Sequence, residues 1–191
     1  MDWRLDETAD SLIRNGITDP FIMVAIPSDS QIRSAEYSNT KKGQLYRSFL
    51  INDLKPYIDK TYRTLKDPDH TAVLGSSMGG IFSFISVWEH NNVFTKAACF
   101  SPAFKYNDYD YTKVVARDKN PNRKLDLYID NGGIGLEKEL QEGIDKMMQI
   151  LKTKNINFTW HYFPEAQHNE QAWSKRAHLP LIQFFGKKKT H

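Results

Sequence analysis

The stretch that most limits how this chain can fold is TAVLGSSMGG, residues 71–80. An apolar run of strand length, Ala72-Val73-Leu74, stops in two serines and three glycines, and the strongly apolar IFSFISVW follows. A buried strand would continue with Val or Ile, and a solvent loop would carry charge. Gly75-Ser76-Ser77-Met78-Gly79 instead matches G-x-S-x-G, the tight strand-to-helix turn that lifts a serine hydroxyl off a sheet edge. Small flanking residues are needed because strand and helix nearly touch there. Ser77 is the candidate nucleophile. The backbone N–H of Met78, at the helix start, is the candidate oxyanion donor. A phosphate-binding glycine loop of the Walker type would carry Lys after its second glycine, and none is present.

The rest of the chain reads as strands alternating with helices. Leu5, Ala9, Leu12 and Ile13 have helical spacing, with Asp6 as the expected N-cap. FIMVAIP, residues 21–27, reads as a strand buried on both faces. From Gln44 to Tyr62, Leu45, Phe49, Leu50, Leu54, Tyr57 and Ile58 share one helical face, kinked at Pro56. TAVLG, FTKAACFSP, KLDLYID and INFTWHYFP read as strands. Helices are expected over 78–90, 136–154 and 169–186. The alternation predicts one α/β domain over residues 1–191, with a mostly parallel sheet, flanking helices and a basic tail over 183–191.

Composition narrows the function classes. The formal charge is +3 over 191 residues, part of it in the C-terminal GKKKT, and no basic stripe is interleaved with aromatics. Nucleic-acid binding is therefore not expected. No apolar run reaches the roughly 18 residues of a membrane span. The opening MDWRLDETAD is acidic and has no apolar h-region, so no signal peptide is expected and the cytoplasm is the expected location. The lone Cys99 excludes an internal disulfide and a cysteine-based zinc site.

A serine nucleophile needs a base. His70 and His90 flank the wrong ends of the elbow strand and helix, His161 lies within a strand, His178 lies in a helix, and His191 ends the tail. His168 follows a strand and precedes a helix, in PEAQHNEQAW. In a parallel sheet the loops after strands gather at one edge, the edge that holds Ser77. The acid belongs after KLDLYID, where Asp130 at the strand end and Glu137 beyond the glycines are both candidates. A pliable glycine loop would let Glu137 fold back, although an early helical Glu also complements the helix dipole. Trp173 either lines the pocket or packs in the core. Tyr106, Tyr109 and Tyr111 either rim the site or cover their own loop.

The segments PFIMVAIPSDSQIRSAEYS, LINDLKPYIDKTYRTLKDPDHTAVLGSSMGG, FSPAF, LYIDNGG and EAQHNEQAW resemble the putative-esterase family of α/β-hydrolases, which includes esterase D, feruloyl esterases and enterochelin esterases. The resemblance covers most of the chain. It puts the family serine on Ser77 and the family histidine on His168, and likens Arg33 and Glu36, in RSAEYS, to a loop beside the site that shapes the substrate pocket, a surface ion pair being the alternative reading. It implies hydrolysis of small-molecule carboxylic esters without a metal or organic cofactor. Family members carry a further N-terminal part whose His-Gly loop supplies a second oxyanion amide. This chain starts at MDWRLDETAD, just beyond that point, so the expectation is an N-terminally truncated hydrolase. Its sheet would lack a strand between FIMVAIP and TAVLG and be completed by homo-oligomerisation. The rival expectation is a non-catalytic hydrolase-like scaffold or binding domain with an incomplete site.

Overall fold

Four strands hydrogen-bond in parallel in the order β1-β2-β5-β6: β1 Ala72–Ser76, β2 Lys96–Phe100, β5 Asp126–Ile134 and β6 Thr159–Gln167. A separate hairpin pairs β3 Lys105–Tyr106 with β4 Tyr109–Asp110. The computed structural model describes residues 3–120 and 123–187, so the tail beyond Lys187, with His191, lies outside the described residues. The helices are α1 Leu5–Arg14, α2 Arg33–Glu36, α3 Lys41–Phe49, α4 Lys55–Thr61, α5 Met78–Glu89, α6 Thr112–Arg117, α7 Leu136–Thr153, α8 Glu170–Ser174 and α9 His178–Phe185.

Side-chain alternation along the strands builds a three-layer α/β/α body. Ala97, Cys99, Leu127 and Ile129 point to one face, where Phe84 and Val87 of α5, Val115 of α6 and Ile144 and Met147 of α7 pack. Ala98, Phe100 and Tyr128 point to the other, against Trp173 of α8 and Phe184 of α9. Parallel strands buried on both faces need such unbroken apolar runs. Helix α5 is buried along most of its length, as its sequence IFSFISVW requires.

Several expectations change. FIMVAIP forms neither helix nor strand and pairs with nothing in the described sheet, and Ile22, Met23 and Val24 are exposed. An apolar run becomes a strand only when a neighbour takes up its backbone groups, and the described fold offers none. The predicted 44–62 helix divides into α3, a π-helical turn over Leu50–Leu54, and α4. The turn places Pro56 in the first turn of α4, where its missing N–H costs nothing. The buried face of α3 is Gly43 and Arg47, whereas Leu45 and Phe49 are exposed. Arg47 turns inward because its guanidinium pairs with Glu89 at 2.8 Å and donates to Ser38 O at 3.0 Å. Asp6 lies inside α1, and the cap position is Arg4. The single final helix divides into α8 and α9, separated by a turn at 175–177.

Candidate functional site

The register brings the ends of the strands together. Ser76 lies opposite Phe100, Phe100 opposite Asp130, and Ile134 opposite Gln167. Ser77, Ser101 and His168, each the residue after a strand, therefore share one sheet edge. Ser77 N donates to Phe100 O at 2.9 Å and Ser101 N donates to Asp130 O at 3.0 Å, which lashes these turns to the neighbouring strands.

Ser77 has φ 56° and ψ −119°, a conformation that costs a non-glycine residue about 1–3 kcal/mol. The turn is so tight that a Cβ on Gly75 would lie 2.6 Å from the carbonyl carbon of Gly79. Met78 is the first residue of α5, so its N–H has no acceptor within the helix. Among the described residues no hydrogen bond joins the Ser77 hydroxyl to His168. Such bonds are often long in ligand-free sites.

His168 meets an acid. Its Nδ1 lies 3.0 Å from Glu137 Oε2, and Glu137 is fully buried in the first turn of α7. The acid does not arrive on a pliable loop. Strand β5 runs on through the glycines to Ile134, with a register shift against β6 between Gly132 and Ile134. A Cβ on Gly132 would fall 2.5 Å from Ala166 O and 2.7 Å from Glu137 Cγ, so glycine here makes room for the carboxylate and for β6 together. Asn131 Nδ2 donates to Glu137 O at 2.8 Å and ties the same turn to the strand.

Asp130, the other candidate acid, has different company. It is buried within β5, and Tyr128 OH donates to its Oδ2 at 2.9 Å. Arg176 Nε stands 2.9 Å from the same oxygen as an ion pair without hydrogen-bond alignment, and the buried Nη1 makes no hydrogen bond. Burial pushes the Asp130 carboxyl up to about 6, against the opposing pull of Arg176, Tyr128 and the Ser101 N–H.

Two buried residues beside the acid, Ser101 and Arg176, carry no signal of their own in the sequence. Ser101, with φ 42°, donates to Glu137 Oε1 at 2.7 Å. It accepts from Trp173 Nε1 at 3.0 Å and from Arg176 Nη2 at 2.9 Å. A positive φ on a buried serine inside FSPAF has no mark in composition or periodicity. Trp173 is buried, edge-on to the His168 ring at 4.9 Å, so it backs the imidazole instead of lining an open pocket. Arg33 and Glu36 bracket α2, where Glu36 accepts from Ser28 Oγ at 2.8 Å and the Arg33 guanidinium lies over Tyr37. Tyr37 in turn covers the start of α5, 3.8 Å from where a Gly79 Cβ would be. Tyr111 is buried and its hydroxyl donates to Glu89, while Tyr106 and Tyr109 pack on the core. These tyrosines cover their own loop and do not rim the site. Among the described residues no group of three or more His, Cys, Asp or Glu is placed to hold a metal ion, and no helix is long and apolar enough to cross a membrane.

Comparison with known proteins agrees with this architecture. The sequence profile of the family described as Putative esterase matches residues 1–180.

The chain belongs to the Putative esterase family.

Solved structures with the same fold include a ferulic acid esterase, at TM-score 0.75 and 17% identity over 95% of this chain and 77% of that one. The enterobactin esterase FES from Shigella flexneri superposes at TM-score 0.76 and 15% identity, covering 91% of this chain and 46% of that one. FphF of Staphylococcus aureus, described as a fluorophosphonate-binding serine hydrolase, matches at TM-score 0.59 and 17% identity over 78% of this chain and 68% of that one. A curated Bacillus subtilis relative, the uncharacterized protein YbbA, is 21% identical over 115 residues, and the match spans 44% of that protein's length. The fold is thus that of α/β-hydrolase esterases, as the sequence pattern implies.

Proposed function

We propose that the protein is a serine carboxylic-ester hydrolase working through an acyl-enzyme on Ser77. The observation that carries this reading is the buried Glu137 carboxylate 3.0 Å from His168 Nδ1, at the sheet edge that also presents the strained Ser77 turn. Glu137 orients the imidazole, and His168 Nε2 takes the Ser77 proton as the hydroxyl attacks the ester carbonyl. The Met78 N–H stabilises the tetrahedral oxyanion. His168 returns the proton to the leaving alcohol, and water then resolves the acyl-enzyme by the same route in reverse. The Arg33–Tyr37 segment over the start of α5 is placed to border the acyl group. The substrate class is a small-molecule ester, and the names of the ferulic acid and enterobactin esterases favour a hydroxylated aromatic acyl group.

The test is covalent labelling with a fluorophosphonate, mapped by peptide mass spectrometry. One label per chain, on Ser77 and absent from Ser77→Ala, is the expected result. The open edge of β1 favours the rival reading of a binding scaffold. An unlabelled but folded protein would overturn the esterase reading and support the scaffold.

A further inference from the structure

Counting protons around one buried hydroxyl decides the state of the His168 ring. The Ser101 Oγ has three polar neighbours within hydrogen-bond distance: Glu137 Oε1 at 2.7 Å, Trp173 Nε1 at 3.0 Å and Arg176 Nη2 at 2.9 Å. All four residues are buried, so water does not substitute for any partner. Indole N–H and guanidinium N–H groups only donate, and a hydroxyl has one proton and two lone pairs. Both Ser101 lone pairs are therefore occupied. Its single proton has one remaining destination, Glu137 Oε1, which must accept.

That assignment passes to the next bond. With Oε1 accepting, a neutral Glu137 would have to hold its proton on Oε2. The Arg176 guanidinium stands 3.8 Å from Oε1, a fixed positive charge beside the accepting oxygen. Oε2 then accepts from His168 Nδ1–H, and Nε2 is left with a bare lone pair. The strained φ of 42° at Ser101 is what carries the hydroxyl under the carboxylate.

We infer that Ser101 is a positioning residue which, with Arg176 and Trp173 as its obligate donors, fixes the Glu137 carboxylate as a two-sided acceptor and so sets the Nδ1–H tautomer of His168. The inference rests on the proposed Ser77–His168 chemistry only for its effect on rate. The tautomer itself can be read without any substrate.

The experiment is histidine-selective ¹⁵N NMR at mildly alkaline pH, with the His168 signals assigned by their loss in His168→Gln. The wild-type ring should show the Nδ1–H tautomer. Ser101→Gly tolerates the positive φ while removing the hydroxyl that anchors Oε1, so the carboxylate is free to turn away from Nδ1 and His168 should become a mixture of tautomers. It should also lower kcat/KM on a p-nitrophenyl ester by about 10–100-fold, mostly through kcat, the scale of leaving a buried acceptor one partner short. Ser101→Ala gives the same reading should glycine loosen the turn. Trp173→Phe removes one donor but keeps the Ser101–Glu137 bond, so its tautomer should stay wild-type. A folded Ser101→Gly or Ser101→Ala protein with an unchanged His168 spectrum overturns the inference. If the wild type hydrolyses no ester, the esterase reading fails while the tautomer shift still tests Ser101.

Discussion

The two flanks of the sheet spend similar apolar residues on very different ends. On the β5–β6 flank, Glu137, Ser101 and Asp130 are fully buried, and each is held by side chains from at least two positions along the chain. On the β1 flank, Ile22 is 48%, Met23 41% and Leu45 64% exposed, and among the described residues β1 has a partner on one side only. The difference lies in connection more than in composition. Most polar groups on the first flank are taken out of water with a partner, Arg176 Nη1 and Asn131 Oδ1 being exceptions. On the second, the backbone of residues 21–27 finds none in the sheet, and its apolar side chains stay at the surface. The candidate chemistry lies where the two flanks meet, with Ser77 leaving β1 and its base and acid arriving from β6 and α7.

The largest effect should come from breaking that junction. Ser77→Ala and His168→Ala are each expected to lower kcat on p-nitrophenyl butyrate by about 10⁴–10⁶, and the double variant should lose no more than either alone. Full activity in purified Ser77→Ala protein would sink the esterase reading.

Next come the two buried acids, which the structure assigns different surroundings. Glu137→Gln should lower turnover by about 10²–10⁴ with the melting temperature nearly unchanged, since it disturbs the imidazole more than the fold. Asp130→Asn should do the reverse. Leaving Arg176 buried without its counter-charge should cost on the order of 3 kcal/mol of stability in urea unfolding, with a smaller loss of turnover. The opposite ranking would return the orienting role to Asp130.

A finer test uses the pH dependence of that stability loss. Asp130 titrates near 6 when folded, above its ordinary 3.8, so between these values the folded state binds more protons than the unfolded one. Stability from this group is therefore full below about 4, declines as pH rises to about 6, and is flat above that. The stability deficit of Asp130→Asn should accordingly shrink as pH is raised through this window. A deficit that grows instead would mean that the pull of Arg176 outweighs desolvation.

The smallest expected change in fold stability lies on the other flank. We propose that the open edge of β1 pairs with a second copy, giving a two-fold dimer, which light scattering should report as twice the 22.2 kDa chain mass. Met23→Lys should alter unfolding free energy by no more than about 0.5 kcal/mol, as an exposed position does, while weakening the dimer. A monodisperse wild-type monomer with a sharp melt would show that the edge needs no partner.

Much of the site was legible because its signals are local. G-x-S-x-G between an apolar strand and an apolar helix has few other uses, and a histidine between a strand and a helix is placed by parallel topology alone. The acid was not legible in the same way. Asp130 and Glu137 are seven residues apart in one strand–turn–helix unit, and either has a sequence reason to be there. Nor was the buried face of α3, because the pull of Glu89 on Arg47 comes from a helix 42 residues away in sequence and overrides the apolar stripe.

What the amino-acid order determined by itself was the α/β class, the tight strand-to-helix turn at Ser77 and the edge on which His168 falls, since each follows from short-range periodicity and from the handed, parallel layout of strands. Only the tertiary structure set Glu137 and not Asp130 beside His168, and brought Ser101 and Arg176 to the same carboxylate. Those depend on the register of β2 against β5 and on the bulge between β5 and β6, which set side chains from distant segments within 3 Å of one another. It also decided that FIMVAIP is not a strand, because strand formation is a property of a pair of segments and the described fold supplies only one of them.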